Sequence, residues 1–174
     1  MNIVVLAGGL STERDVSFKS GDMVCKALRS LGHKVLLLDV FLGYHDTEED
    51  ISDIFEHTEE ASVEVSDIPD TAPDIAAVKA SRADQSDCFF GPNVIAICRK
   101  ADVVFMALHG ENGENGKVQA AFDLFGIRYT GNGYLSSAIA MDKGISKEFF
   151  KSYGVPCPQG FSPVSYTHLR AHET

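Results

Sequence analysis

Short apolar runs alternate with amphipathic stretches along most of the 174 residues. The first run, Ile3 to Ala7, is continuous and stops at Gly8, which is typical of a strand buried on both faces of a parallel sheet. The pattern then predicts a helix that stops at Gly32 and a second strand from Lys34 to Val40. The helix should bury one apolar face, made by Val16, Met23, Val24, Ala27, Leu28 and Leu31.

The same alternation resumes after residue 90. Pro92 suits the first turn of a helix that runs to about Arg99, and a further buried strand is predicted from Asp102 to Ala107. Helical spacing returns before Gly126, where the apolar positions are Val118, Ala121, Phe122 and Phe125. The remaining predicted elements are a short fourth strand over residues 127–130 and helices around residues 135–142 and 146–153.

These elements predict an α/β fold built on an open, doubly wound parallel sheet, because parallel neighbours require crossover connections of fixed hand. Such sheets bind ligands outside the carboxyl ends of their strands, where the strand order reverses. If the first strand is central, the loop that follows it and the loop after the Asp102 to Ala107 strand open side by side. We therefore expect the functional site at these two loops.

Composition excludes several classes of protein. Hydrophobic residues make up 44% of the chain and the formal net charge is −10, which favours a globular protein and argues against binding to nucleic acid or to anionic membranes. The apolar runs are too short to span a bilayer. No signal segment follows Met1 and the four cysteines form no CxxC pair, so we expect reduced thiols and a cytoplasmic location.

Most of the acidity lies in one segment, from about residue 44 to residue 87. It contains 14 acidic residues against Lys79 and Arg82, a balance of −12. Its periodicity is weak and it contains Pro69 and Pro73. We interpret it as a peripheral, solvated insertion that is partly helical around residues 51–55.

The loop after the first strand runs from Gly8 to Ser17. Two glycines let the backbone approach a ligand, and the loop ends at a helix N-terminus that favours negative charge. A tight turn with Glu13 complementing the helix dipole is the alternative interpretation. The loop lacks a GxGxxG fingerprint, so support for a dinucleotide site is weak.

The loop after the Asp102 to Ala107 strand is richer in polar residues than a connection requires. It places three glycines and two acids after His109 and before an amphipathic helix. A purely structural alternative is that His109 caps the strand while Glu114 serves the helix N-terminus. The density of unusual residues favours a binding site.

Three blocks of sequence carry a family resemblance. HGENGENGKVQA at residues 109–120 resembles the first signature of D-alanine:D-alanine ligases. AGGLSTERDVSFKSG at residues 7–21 resembles that family's first loop and helix, and YTGNGYLSSAIAMDK at residues 129–143 resembles its passage into the ATP-binding part. The blocks occur in the family's order, and the resemblance extends from Met1 to about Phe161.

The resemblance implies a Rossmann-like pre-ATP-grasp domain over residues 1–131, which carries the acidic insert, and the truncated start of an ATP-grasp domain over residues 132–161. Residues 162–174 depart from the family and look like translated non-gene DNA, so we exclude this tail from the fold. Its His168 and His172 have a spacing seen in metal sites, but two ligands do not make a site.

The family activity implied is ATP- and Mg²⁺-dependent formation of D-alanyl-D-alanine through an acyl phosphate, for peptidoglycan precursors. A homodimer is also implied. The acidic metal ligands and most nucleotide contacts of the family are expected beyond residue 174, so we expect the chain to be an N-terminal fragment that is inactive alone and holds no metal site.

Carried over to this sequence, the resemblance implies that Glu13 is the catalytic residue that holds the ammonium group of the first D-alanine. It implies that His109 also binds this substrate and that Ser17 and Glu114 support the substrate site. Lys143 matches the lysine near the ATP phosphates. An exposed lysine late in a helix is the alternative for Lys143.

Three other functions stay open at this point. A sister ligase could join D-alanine to D-lactate or D-serine, since the residues that select the second substrate lie mostly outside the chain. A Rossmann-type dinucleotide domain would share the architecture, with Asp39 at the end of the second strand as its ribose-binding acid. A non-catalytic dimerisation module is the third possibility.

Overall fold

The fold is built on three parallel strands. The computed structural model describes residues 1–44, 51–66 and 71–160. In these ranges β1 (Asn2–Ala7) lies between β2 (Lys34–Asp39) and β3 (Val103–Met106), so the order is β2-β1-β3. All three strands are where the apolar runs predicted them. Because the order reverses at β1, the loops after β1 and β3 lie at the same edge of the sheet.

Helices cover both faces of the sheet. The α-helices are α1 (Arg14–Ser30), α2 (Ile75–Ser81), α3 (Val94–Lys100), α4 (Lys117–Phe125), α5 (Tyr134–Met141) and α6 (Lys143–Ser152). Alternate residues of β1 point to opposite faces, so Val5 packs in a cluster with Cys25 of α1, whereas Val4 packs with Ile97 of α3 and Phe122 of α4. This arrangement confirms the doubly wound α/β fold.

The predicted fourth strand is reduced to a single parallel bridge between Val104 and Tyr129. Two backbone hydrogen bonds hold it, from the Val104 N–H to the Arg128 carbonyl (2.8 Å) and from the Thr130 N–H to the Val104 carbonyl (2.9 Å). The segment therefore runs beside β3 as expected but does not extend the sheet as a regular strand.

The predicted apolar face of α1 is correct only at Val24 and Leu28, which pack against the core. Val16, Met23 and Leu31 are 42%, 60% and 71% exposed, while the buried positions include Ser17, Gly21 and Cys25. A Cβ at Gly21 would lie 2.8 Å from Leu37 Cδ1 and 3.3 Å from Ala7 Cβ. The helix therefore approaches the sheet so closely that small residues fill the interface, and the larger side chains turn outward.

The acidic segment is not merely peripheral. Ile51, Ile54 and Phe55 belong to the main core, around a 3-10 helix at Ile54–Glu56. Beyond it, the Val63 N–H donates to the Leu37 carbonyl at 3.0 Å. The segment thus covers the outer edge of β2, and its regular helix is α2 rather than the stretch around residues 51–55. A count of charges could not show that this segment packs in the core, because it does not report which residues are in contact.

The last described helices follow α4 closely. α5 and α6 match the two predicted helices, and Gly116 at the start of α4 leaves no room for a Cβ against the Tyr134 carbonyl of α5. The domain boundary near residue 131 stays a prediction. The unusual tail at residues 162–174 lies outside the described residues. No helix within the described ranges is long and apolar enough to cross a bilayer.

Candidate functional site

The loops after β1 and β3 meet at Gly110. Its φ of +75° is in the left-handed region, and a Cβ there would lie 3.0 Å from Ser11 Cβ and 3.2 Å from Glu13 Oε2. The first loop therefore packs directly on the second. The Glu13 carboxylate lies against the residue that follows His109, which places both predicted substrate residues at the same edge of the sheet.

Ser17 joins the carboxyl ends of β1 and β3. Its hydroxyl accepts a hydrogen bond from the Gly8 N–H at 2.9 Å and donates one to the Ala107 carbonyl at 2.7 Å. The residue is completely buried. Its hydroxyl is thus used within the protein, where it fixes the spacing of the two loops.

Glu13 is at the N-cap position of α1, but its side chain makes no capping hydrogen bond. The backbone of this turn is closed by Ser11, whose Oγ accepts from the Glu13 N–H and whose carbonyl accepts from the Arg14 N–H, both at 3.1 Å. The exposed carboxylate is therefore presented by a fixed turn while its oxygens make no capping bond.

His109 is half-buried, and its Nε2 lies 3.4 Å from Ser20 Oγ on α1. Ser20 is one helical turn beyond Ser17, so the imidazole lies along the same side of α1 that faces β3. Glu13 is near His109 because its carboxylate lies against Gly110, the next residue in the chain after His109. The structure describes no direct bond between their side chains.

Glu114 supports the second loop. Its Oε2 accepts from the Gly110 N–H at 3.1 Å, and its own N–H donates to the Gly110 carbonyl at 3.0 Å. The N-cap of α4 is Gly116, so Glu114 does not have the helix-capping role of the alternative interpretation. Two carboxylates, Glu13 and Glu114, thus approach Gly110.

Sequence reasoning missed Gln119, which is 6% exposed and donates from Nε2 to the Gly113 carbonyl at 2.7 Å. It fixes the second loop to α4 from within the HGENGENGKVQA block. A glutamine among the apolar positions of a helix was the available signal, because buried amides are retained where they bind backbone groups.

The buried ion pair of Arg14 and Asp39 was also missed. Asp39 Oδ2 pairs with Arg14 Nη2, and Asp39 Oδ1 accepts from the backbone N–H groups of Phe41 (2.8 Å) and Leu42 (3.2 Å). Asp39 is 2% exposed. Both of its carboxylate oxygens are engaged, so it is not available to a ribose, which removes the residue on which the dinucleotide alternative depended.

Lys143 lies apart from the two loops. It is the exposed first residue of α6 rather than a lysine late in a helix, and it lines a cleft with Lys147, Glu148 and Gly160. The carboxylate of Asp142 caps α6, since it accepts hydrogen bonds from the backbone N–H groups of Gly144 and Ile145 at 2.9 Å each. The cleft therefore contains both ammonium and carboxylate groups, and Asp142 occupies the helix N–H groups.

Two cysteines, Cys25 and Cys98, lie in the hydrophobic core. Burial raises the pKa of Cys25 to about 11 and that of Cys98 to about 12, so both thiols are protonated at neutral pH. All four cysteines are free. In the part of the chain that the structure describes, no group of three His, Cys, Asp or Glu residues could hold a metal ion.

Comparison with known proteins finds matches over most of the chain. The family model described as "D-ala D-ala ligase N-terminus" matches residues 2–132. A D-alanine–D-alanine ligase of Lacticaseibacillus casei is 47% identical over 156 residues, which are 89% of this chain and 43% of the relative. The ligase of Pediococcus pentosaceus is 49% identical over 150 residues, 85% of this chain and 42% of the relative. The chain thus spans less than half the length of these relatives.

Solved structures show the same fold. The D-alanine–D-alanine ligase of Bacillus anthracis matches with a TM-score of 0.56 and 24% identity over 98% of this chain and 43% of that protein. The structure of the same enzyme complexed with ATP matches with a TM-score of 0.55 and 25% identity, covering 91% of this chain and 39% of that one.

Proposed function

The chain belongs to the family of D-alanine:D-alanine ligase N-terminal domains, and on this premise we propose that it supplies the first D-alanine site of an ATP-dependent ligase that forms D-alanyl-D-alanine. The relatives named above are ligases of this kind, and they are more than twice as long as the chain. The complete protein, not the 174-residue chain, would carry out the reaction.

The placement of Glu13 is the observation that carries this proposal. Its carboxylate is exposed, makes no capping bond, and lies against Gly110 where the two loops meet. A fixed carboxylate of this kind attracts an ammonium group, and the pairing keeps both groups charged. We propose that Glu13 binds the ammonium group of the first D-alanine and that His109 binds the same molecule from the second loop.

Ser17 and Glu114 have supporting roles in this proposal. Ser17 fixes the spacing of the two loops, and Glu114 closes the turn that begins at Gly110. Neither side chain needs to touch the substrate. Their contribution is that Glu13 and His109 are in place before D-alanine arrives, so that little ordering is needed on binding.

ATP, when bound, supplies the γ-phosphoryl group that converts the first D-alanine carboxylate to an acyl phosphate, which the amine of the second D-alanine attacks with loss of phosphate. Lys143 is the residue of this chain that would contact the ATP phosphates, and its ammonium group would act there as a point charge. The cleft that it lines contains a second lysine, Lys147, and the two carboxylates of Asp142 and Glu148. The described residues offer no ligand set for Mg²⁺, so we propose that its ligands come from elsewhere in the complete protein.

We also propose that the complete enzyme is a cytoplasmic homodimer that provides the dipeptide for peptidoglycan precursors. The names of the relatives favour D-alanine over D-lactate or D-serine as the second substrate. Light scattering tests the dimer on the chain itself. A strictly monomeric result would count against an interface formed by this domain.

The substrate site can be tested by NMR titration of the 174-residue chain with D-alanine, using L-alanine as the competing stereoisomer. We expect D-alanine to shift the amide signals of residues 9–14 and 109–114. Glu13→Gln should raise the dissociation constant about tenfold, because it removes the charge that pairs with the ammonium group. Glu59→Gln, at an exposed glutamate of the acidic segment, is the matched control. Equal affinity of the Glu13→Gln variant and the parent chain would contradict the proposal.

Catalysis can be tested by incubating the chain with D-alanine, ATP and Mg²⁺ and measuring phosphate and dipeptide. We expect neither product, because the nucleotide and metal groups of the family have no match in the described residues apart from Lys143. Formation of D-alanyl-D-alanine by the chain alone would overturn this part of the proposal.

A further inference from the structure

The buried pair of Arg14 and Asp39 lies directly beside the Glu13 turn. The two side chains are only 8% and 3% exposed, and Arg14 Nη1 also donates to the Gly9 carbonyl at 2.8 Å. Arg14 is the first residue of α1 and follows Glu13 in the chain. The guanidinium therefore connects the carboxyl end of β2 to the loop that presents the proposed substrate carboxylate.

Arg14 closes this loop on itself at two points. Its backbone N–H donates to the Ser11 carbonyl at 3.1 Å, and its guanidinium donates to the Gly9 carbonyl. Glu13 lies within both of the turns that these two hydrogen bonds close. A displacement of Arg14 would therefore move the Glu13 backbone, although Arg14 itself is buried and does not reach the exposed edge of the site.

The surroundings of the guanidinium leave it little freedom. Its Cζ lies 4.9 Å from the centre of the Phe18 ring. A Cβ at Gly8 would lie 2.7 Å from Phe18 Cζ, 2.9 Å from Asp39 Oδ1 and 3.0 Å from Arg14 Nη1. The planar guanidinium is thus held between an aromatic ring, a carboxylate and the backbone of the loop that follows β1, an arrangement that a lysine ammonium does not reproduce.

Stability alone is a weak explanation for such a pair. Removing two charges from water is costly, and replacing a buried ion pair with apolar residues is often neutral or stabilising. Its bonds instead join three separate segments at the edge of the sheet where the site lies. We propose that Arg14 and Asp39 are positioning residues that set the location of Glu13 for binding the first D-alanine, an inference that rests on the function proposed above.

Two variants separate positioning from folding. Arg14→Lys keeps the charge but loses the planar fork, and the double variant Arg14→Met with Asp39→Leu removes both charges without leaving one unpaired. Arg29→Lys is the matched control, because Arg29 is on the same helix and donates to the carbonyls of Val35 and Thr58, far from the Glu13 turn. Thermal unfolding and the dispersion of the amide spectrum report whether each variant folds.

For folded variants we expect the dissociation constant for D-alanine to rise at least about fivefold with Arg14→Lys and with the double variant, since a small displacement of Glu13 weakens the contact. Arg29→Lys should leave it within about twofold even if its melting temperature falls. A folded double variant that binds D-alanine as tightly as the parent chain would overturn the proposal. If the double variant does not fold, the same result for a folded Arg14→Lys variant would overturn it.

A second measurement keeps this inference distinct from the proposed function. Hydrogen exchange of the Glu13 and Arg14 amides, which are bonded to Ser11, reports the order of the turn without any ligand. We expect both variants at Arg14 to speed this exchange and Arg29→Lys to leave it unchanged. If the parent chain does not bind D-alanine, the proposed function is wrong. Unchanged hydrogen exchange in both Arg14 variants would contradict the positioning role.

Discussion

Replacing Gly110 by alanine tests the meeting of the two loops directly. The φ of +75° costs a residue with a Cβ about 1 kcal/mol or more. The added Cβ would also lie 3.0 Å from Ser11 Cβ and 3.2 Å from Glu13 Oε2, closer than ordinary packing allows. Overpacking of this kind costs roughly 1–3 kcal/mol. The total loss of unfolding free energy should therefore be about 2–4 kcal/mol.

Gly32 provides a matched control for the backbone part of this cost. Its φ is +81°, and a Cβ there would meet no atom within 4 Å. Gly32→Ala should therefore lose only about 1 kcal/mol. The difference between the two variants isolates the collision between the loops.

Urea denaturation of the parent chain and the two variants measures these free energies, provided that the slope with urea is unchanged. D-alanine titration of the same samples adds the functional side, because Gly110→Ala should displace Glu13 and weaken binding whereas Gly32→Ala should not. If Gly110→Ala were within about 0.5 kcal/mol of Gly32→Ala, the described contact between the loops would be incorrect.

Three further experiments, which use four substitutions, test other parts of the structure. Ser17→Ala should cost roughly 2–4 kcal/mol of unfolding free energy, since it leaves a buried N–H and a buried carbonyl without partners; a loss below about 1 kcal/mol in urea denaturation would contradict the bridge. Gly21→Val should lower the unfolding free energy by about 1–3 kcal/mol, because α1 lies so close to the sheet. Met23→Ala, on the exposed side of α1, should change it by less than about 0.5 kcal/mol. The reverse order would show that Met23 is on the buried face, as the sequence predicted. The pKa of Cys98 is about 12 in the folded chain against 9.0 for a free thiol, so folding favours the protonated form and stability is lost as the pH rises above 9. Between pH 9 and 10, the parent chain should lose on the order of 1 kcal/mol more unfolding free energy than Cys98→Ala loses. Identical pH profiles of the two proteins would refute the assignment.

Local sequence predicted the strands and the meeting of the two loops well. β1, β2 and β3 are continuous apolar runs because both of their faces are covered by helices, and such runs are legible without any knowledge of the partners. Glycine-rich loops follow β1 and β3, and the rule that parallel strands open their carboxyl ends at one edge was enough to bring Glu13 and His109 to the same region.

The family resemblance added what local pattern could not. Nothing in the spacing of Glu13, His109 or Lys143 names a substrate, and each had a plain structural alternative. The three blocks in order pointed to the ligase family, and the match to residues 2–132 confirms it. The roles of the individual residues remain predictions.

Only the tertiary structure decided which residues fill the gaps between elements. A helical pattern shows which side chains are apolar, but it does not show how near the helix comes to the sheet. The sequence therefore predicted that Met23 is on the buried face of α1, whereas the structure buries Gly21. The same holds for Arg14 and Asp39, which are 25 residues apart and look like two surface charges until the ends of β1 and β2 bring them together. Sequence periodicity reports the direction in which a residue points, whereas distance between elements is set by packing the whole chain at once.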